Sequence, residues 1–227
     1  WTAGGPAGNF TIVDGGLVIT PGNSYWSGQH NVEYVGDSTY LMFDNQFGEM
    51  APSRAMSVVI NESTRIASVT NKYTPLAVYP QGYAEVFGDN DLLPSQNTLL
   101  VWWPALLDPD MDVMYDAQIL EVTMAGEVAW ELEVYGESDC FGENDISCQR
   151  TVNNGWKIYS VERFYDAPVV YNATFYNGTL QFSAHSTFKM SHVSKGTWQL
   201  YYEQEVVATG AVVFEPYWQK SQVHERL

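Results

Sequence analysis

The chain has 227 residues, of which 45% are hydrophobic and 15% aromatic, and it carries a formal net charge of -17. Ten lysines and arginines against 27 acidic residues argue against nucleic acid as a partner, because neutralising phosphates needs a basic surface. The longest apolar run, residues 98–107, contains Pro104 and is about half the length of a membrane-spanning segment. The composition therefore predicts an ample core, no nucleic-acid partner and no membrane span.

The predicted elements are β-strands, since no stretch has helical periodicity beyond about two turns. Two short strands, at 9–13 and 16–20, are assigned to the end of an incomplete propeller blade covering residues 1–27. A strand–turn–strand unit then occurs twice, first at 30–45 and again about 58 residues further on, at 88–102. Each copy is followed by a second hairpin, at 54–60 with 65–70 and at 118–124 with 127–134. Four antiparallel strands that repeat in this way are typical of a propeller, with blades here at 28–72 and 84–135.

Two blades cannot close a ring, and an open stack of two leaves strand edges and apolar faces in water. We therefore expect the chain to be the C-terminal part of a larger propeller. Its expected partner is the N-terminal portion of the same propeller, as a separate or cleaved chain.

The region 136–165 is predicted to hold a disulfide loop and a strand that returns to the propeller at 156–164. Cys140 and Cys148 bracket an acidic, turn-rich stretch, which indicates a short disulfide-closed loop; two free thiols are the alternative.

The region 166–227 contains four further predicted strands without the blade period. They are separated by predicted turns at Asn177-Gly178, Lys195-Gly196 and Thr209-Gly210. This pattern predicts a small β-sandwich-like region beside the propeller.

Four Asn-x-Ser/Thr sequons occur in the chain, at Asn9, Asn61, Asn172 and Asn177. Several sequons in one chain, together with the cysteine pair, favour the secretory pathway. We expect a secreted, extracellular glycoprotein.

Two groups of residues carry a resemblance to a known family. The run Gly28-Gln29-His30-Asn31-Val32-Glu33-Tyr34, followed by Leu41-Met42-Phe43-Asp44-Asn45 and Ser53-Arg54, resembles the His-Asp-Val, Phe-Asp-Asn and Ser-Arg pattern of the arylsulfotransferase propeller family. The run Val86-Phe87-Gly88-Asp89 with Asn97-Thr98-Leu99-Leu100-Val101 is similar to the blade that follows in that family. The likeness spans about residues 20–135. It implies a six-bladed propeller that moves a sulfuryl group between an aryl sulfate and a phenol through a transiently sulfated histidine.

The resemblance implies His30 as the catalytic residue, with Asn31, Asp44, Asn45 and Arg54 holding the imidazole or the sulfate. A neutral imidazole is a competent nucleophile near neutral pH, and the charge that gathers on the sulfate oxygens calls for fixed donors. Two structural alternatives stay open. His30 could be a hydrogen-bonded residue that ties neighbouring blades together, and Arg54 could pair with a carboxylate.

The chain departs from the family pattern at Gly88, where the second copy lacks a histidine. Either the N-terminal blades supply the missing histidine, or the channel is catalytically silent. In the second case the alternative function is an extracellular structural or glycan-binding protein. No cofactor and no catalytic metal are expected. Structural calcium is considered at the acidic loop 108–112 and at 89–91, against the alternative of a solvated acidic loop.

Overall fold

The computed structural model describes residues 1–48, 51–75, 82–84, 86–102, 105–107, 113–115, 117–134 and 158–227. Every regular element in these ranges is a β-strand, so the all-β class is confirmed. The chain divides into two compact units, residues 1–161 and 162–227. None of the described segments forms a helix long and apolar enough to cross a membrane. Cys140 and Cys148, with their predicted disulfide, and the loop 108–112 lie outside the described residues.

The first unit contains two larger sheets and one separate hairpin. Its strands are β1 (Thr11–Asp14), β2 (Leu17–Ile19), β3 (His30–Tyr34), β4 (Thr39–Asp44), β5 (Arg54–Asn61), β6 (Ile66–Tyr73), β7 (Asp89–Leu92), β8 (Thr98–Trp102), β9 (Ala105–Leu107), β10 (Val113–Tyr115), β11 (Ala117–Val122) and β12 (Val128–Val134). The first sheet has the order β2-β1-β6-β5-β4-β3, and the second has the order β12-β11-β8-β7. Strands β9 and β10 lie between β8 and β11 in the chain and pair with each other as a separate two-stranded sheet.

The repeat seen in the sequence is a repeat of structure. Strands β3 to β6 form one antiparallel meander, and β7, β8, β11 and β12 form another with the same order of pairing. Both sheets are open along the described residues. The four-stranded units are thus confirmed, while the closed propeller ring remains a prediction.

Strands β1 and β2 lie in the first sheet rather than in a sheet of their own. Strand β1 pairs in parallel with β6, with Ile12 opposite Ala67, and β2 pairs with the outer edge of β1. The segment predicted as the end of an incomplete blade therefore extends the first meander to six strands.

The apolar residues of the first unit alternate between two faces of each sheet, as period-2 strands require. The cluster between the two sheets contains Phe43, Ala55, Ala84, Leu100, Trp102, Leu120 and Val122. The outer face of the second sheet carries Leu99, Val101 and Ile119, against which Ile158 and Val161 pack. The segment 158–161 thus packs on this sheet. The strand predicted at 156–164 is wrong for residues 158–164, which are irregular, and residues 156 and 157 lie outside the described residues.

The second unit is built from β13 (Val169–Tyr176), β14 (Thr179–His185), β15 (Ser194–Tyr202), β16 (Glu205–Phe214) and β17 (Ser221–Arg226). The order β13-β14-β17 gives a three-stranded sheet, and β15 pairs with β16 as a long hairpin. Residues from both layers share one core: Leu180, Ala184, Trp198, Val212, Phe214 and Val223.

One of the three predicted turns of this unit is confirmed, and two are wrong. Asn177 and Gly178 both have positive φ, as a tight two-residue hairpin turn requires. Gly196 and Gly210 lie instead inside β15 and β16. A Cβ at Gly210 would lie 2.5 Å from the ring of Trp198 on the opposite strand, so these glycines make room for aromatic rings rather than for turns.

Candidate functional site

His30 is the first residue of strand β3, and two oxygen atoms fix the tautomer of its neutral ring. Its Nδ1 lies 2.8 Å from Asn45 Oδ1 and 2.9 Å from the Gly28 carbonyl oxygen. The Asn45 amide nitrogen donates to the carbonyl oxygens of Ala84 and Phe87, at 2.8 Å each, so Oδ1 must be the atom that faces the histidine. Because both neighbours of Nδ1 are acceptors, Nδ1 carries the proton in the neutral ring. Nε2 is left with its lone pair.

Two aromatic rings flank the half-buried imidazole. The ring centroids of Phe87 and Tyr159 each lie 6.1 Å from that of His30 in edge-on geometry, and they lie 5.1 Å from each other. Tyr159 is 47% exposed, and His30 itself is partly exposed. The arrangement combines a hydrogen-bonded imidazole with an aromatic wall.

The equivalent opening positions of the two copies meet beside this histidine. The Asn31 side-chain amide donates to Asp89 Oδ1, and Ser160 Oγ donates to Asp89 Oδ2 at 2.5 Å. Asp89 is 2% exposed, so its carboxylate is held in the interior by neutral donors. This group ties β3, β7 and the segment 158–161 together.

Asp44 and Arg54 form a buried ion pair with the guanidinium fully engaged. Arg54 Nε lies 2.9 Å from Asp44 Oδ2, its other nitrogens donate to the hydroxyl and carbonyl oxygens of Tyr25, and its charge lies over the Tyr25 ring. Asp44 also accepts hydrogen bonds from the backbone nitrogen of Ser27 and from Gln46. Arg54 therefore pairs with a carboxylate, as the structural alternative for this residue expected.

The second copy has no room for a histidine at the position of Gly88. This glycine has φ +108, and a Cβ there would lie 2.5 Å from Cε1 of Phe43, a ring that is fully buried. Any side chain would meet both an unfavourable backbone conformation and the core between the sheets. Packing therefore explains why position 88 carries no side chain.

The other candidate residues are the predicted glycosylation sites and the histidines of the second unit. The sequon residues Asn9, Asn61, Asn172 and Asn177 are all exposed. In the second unit His185 stacks on Tyr171 and its burial lowers its pKa, whereas His192 is exposed. Among the described residues no three histidine, cysteine or acidic side chains are grouped as a metal site would require, and this includes residues 89–91.

Of the residues predicted around His30, Asn45 contacts its ring and Asn31 binds Asp89 instead, whereas the sequence did not identify Tyr159 or Ser160. These two residues lie in an irregular segment far along the chain, and no motif marks them. No protein-family model and no curated protein matches this chain. The likeness to the arylsulfotransferase family therefore depends on the quoted motifs alone.

Proposed function

We propose that this chain is part of a secreted, arylsulfotransferase-like propeller that transfers a sulfuryl group from an aryl sulfate to a phenol through His30. The observation that supports the proposal best is the hydrogen bonding of the ring. Asn45 and Gly28 hold the proton on Nδ1, so Nε2 is presented as the nucleophile. A nucleophile held by an oriented second group is the general arrangement of covalent catalysis.

The reaction has two steps that balance in atoms and charge. The Nε2 lone pair of His30 attacks sulfur, the N–S bond forms, and the S–O bond to the aryl group breaks to release an aryl oxide. In the second step a phenol oxygen attacks sulfur, the N–S bond breaks, and the phenol proton passes to solvent. Nδ1–H keeps donating to Asn45 Oδ1, and this acceptor oxygen stabilises the positive charge that the ring carries while it is sulfated. The chemistry requires no cofactor.

The charge on the sulfate oxygens needs further donors, and Arg54 is already engaged by Asp44 and Tyr25. We place these donors on the N-terminal portion of the same propeller, present as a separate or cleaved chain. Such a partner would also cover the open sheets of the first unit. Its expected signature is a second polypeptide that co-purifies with this chain.

The test uses the protein isolated from its native source and the same assembly carrying His30→Ala. An aryl sulfate and a phenol acceptor are supplied, and sulfated acceptor is measured by mass spectrometry. We expect transfer in the wild type and none in His30→Ala, with a sulfuryl adduct on the peptide that contains His30 when acceptor is omitted. His192→Ala, which changes an exposed histidine of the second unit, is the matched control and should retain full activity. Equal activity of the two variants would refute the role of His30.

Two observations favour a second candidate, a catalytically silent propeller with an extracellular structural or glycan-binding role. Packing against Phe43 excludes a second histidine at Gly88, and Arg54 is held in an ion pair. For this candidate we expect no transfer with any aryl sulfate, together with retained binding to glycans or to an extracellular protein.

A further inference from the structure

The three-stranded sheet of the second unit carries a polar face, on which the amide nitrogen of Gln181 lies 3.2 Å from Nε2 of His224. In the β14–β17 pairing, Gln181 lies opposite His224 and Ser183 lies opposite Gln222. Directly paired residues share a face, and residues two apart on a strand return to it, so these four side chains form one rectangular group. The alternate residues Phe182 and Val223 belong to the core behind the sheet.

A bulge in β13 adds Asn172 to this group. The register of β13 against β14 shifts between Tyr171 and Thr174, and Asn172 has φ +54. Bulges of this kind redirect a side chain out of the regular alternation. Asn172 lines a pocket of about 250 Å³ together with Gln181, Ser183, Gln222 and His224, and the pocket also touches the core residues Phe182 and Val223. Asn172, Gln181, Gln222 and His224 are exposed, so the pocket is accessible.

The chemistry of the pocket selects a neutral, hydroxyl-rich ligand. The residues that line it include no acidic residue, lysine or arginine, in a chain whose net charge is -17. Among them a cation would find no carboxylate, and an anion would find no ammonium or guanidinium group. An apolar ligand would cover amide and hydroxyl groups without satisfying their hydrogen bonds, which is costly. Amide side chains offer both donors and acceptors, as each sugar hydroxyl does.

We propose that this pocket binds one neutral sugar residue, a hexose or an N-acetylhexosamine. Its volume lies below the roughly 300–1,000 Å³ of pockets that enclose drug-sized ligands, which fits a single ring better than a longer chain. The sugar has two possible sources. It is either a free or partner-borne glycan, or the first residue of a glycan attached to Asn172 itself, which begins the sequon Asn172-Ala173-Thr174. The proposal is independent of His30, because the pocket lies wholly within the other unit.

The first arm of the test detects a free sugar. The full chain is produced in a host that does not glycosylate, and saturation-transfer NMR is recorded with N-acetylglucosamine and with methyl glucoside. We expect transfer to at least one probe, and at least a tenfold loss of affinity in the double variant Gln181→Leu/Gln222→Leu. Both residues are exposed, so the double variant should fold. Gln199→Leu changes an exposed glutamine of β15 outside the pocket and should bind as the wild type does.

The second arm detects an attached sugar. The full chain is produced in a glycosylating host, and the rates at which an endoglycosidase trims the glycans at Asn172 and Asn177 are compared by peptide mass. Asn177 lies in an exposed turn, so it serves as the internal reference. We expect slower trimming at Asn172 in the wild type and equal rates in Gln181→Leu/Gln222→Leu.

A positive first arm supports a free or partner-borne sugar, and a positive second arm supports the attached one. The proposal is overturned when neither probe shows saturation transfer and the two glycans are trimmed at equal rates. Where Asn172 carries no glycan, the first arm decides alone.

Discussion

Replacing Gly88 with alanine tests how tightly the two four-stranded units are joined. The added methyl group would lie 2.5 Å from Cε1 of Phe43, whose side chain is fully buried, and the backbone would have to keep φ +108. An unfavourable backbone region costs about 1–3 kcal/mol and overpacking costs about as much again. We therefore expect the free energy of unfolding of the first unit to fall by about 2–6 kcal/mol.

Hydrogen exchange measured peptide by peptide on the full chain reads this effect locally. A loss of at least about 2 kcal/mol should accelerate exchange in β7 and β8 by about thirtyfold or more. Strands β15 and β16 of the second unit are the internal control and should keep their rates. In Gly88→Ala/Phe43→Leu the steric part of the loss should be recovered, because the ring is gone, while the backbone part should remain. Wild-type exchange in β7 and β8 of Gly88→Ala would refute the packing argument.

Three further predictions concern single features of the fold. Arg54→Met should lower the free energy of unfolding by about 3–5 kcal/mol, because it leaves Asp44 buried and charged. Asp44→Asn/Arg54→Met should recover part of that loss. Urea unfolding of the wild type, the two single variants and the double variant gives the coupling energy between the two side chains. Glu203 and Gln204 both have positive φ in the β15–β16 turn, a conformation that Asn and Gly adopt more easily. Glu203→Asn/Gln204→Gly should therefore stabilise the second unit by about 1–2 kcal/mol, and an unchanged melting temperature would contradict this. Burial, and then the charge of Lys220, lowers the pKa of His185 from 6.5. The unfolded chain therefore binds more protons, so the stability of the second unit should fall as the pH drops below about 6.5, whereas His185→Gln should show a flatter profile in thermal unfolding.

The strands were predictable where side chains alternate and turns carry their own signal. The repeated hairpins at β3–β4 and β7–β8 follow from period-2 patterns, and the Asn177-Gly178 turn follows from the ease with which both residues adopt positive φ. Gly196 and Gly210 gave the same local signal with a different cause. The rings of Phe214 and Trp198 lie over them, and a ring on the opposite strand is not visible in a local pattern.

The candidate site was predictable only in part, for a related reason. His30 and Asn45 stand at the ends of paired strands, so the hairpin itself brings them together. Tyr159 and Ser160 reach the site from an irregular segment, and neither periodicity nor a motif announces such a segment. Gly88 shows the converse case. The sequence shows a glycine where the first copy has His30, and only the position of the Phe43 ring explains why position 88 carries no side chain.

The orientation of His30 depends on the joint between the two copies. Asn45 can present Oδ1 to the imidazole only while its amide nitrogen is bound to the carbonyl oxygens of Ala84 and Phe87, which belong to the chain that leads into the second copy. A single hairpin taken alone would leave this amide free to rotate, and the proton of His30 would then have no fixed position. Stacking of the two sheets of the first unit therefore does more than bury apolar surface. It also sets which nitrogen of His30 carries the lone pair, so under the proposed mechanism a change that loosens the joint should affect sulfuryl transfer before it unfolds the sheets.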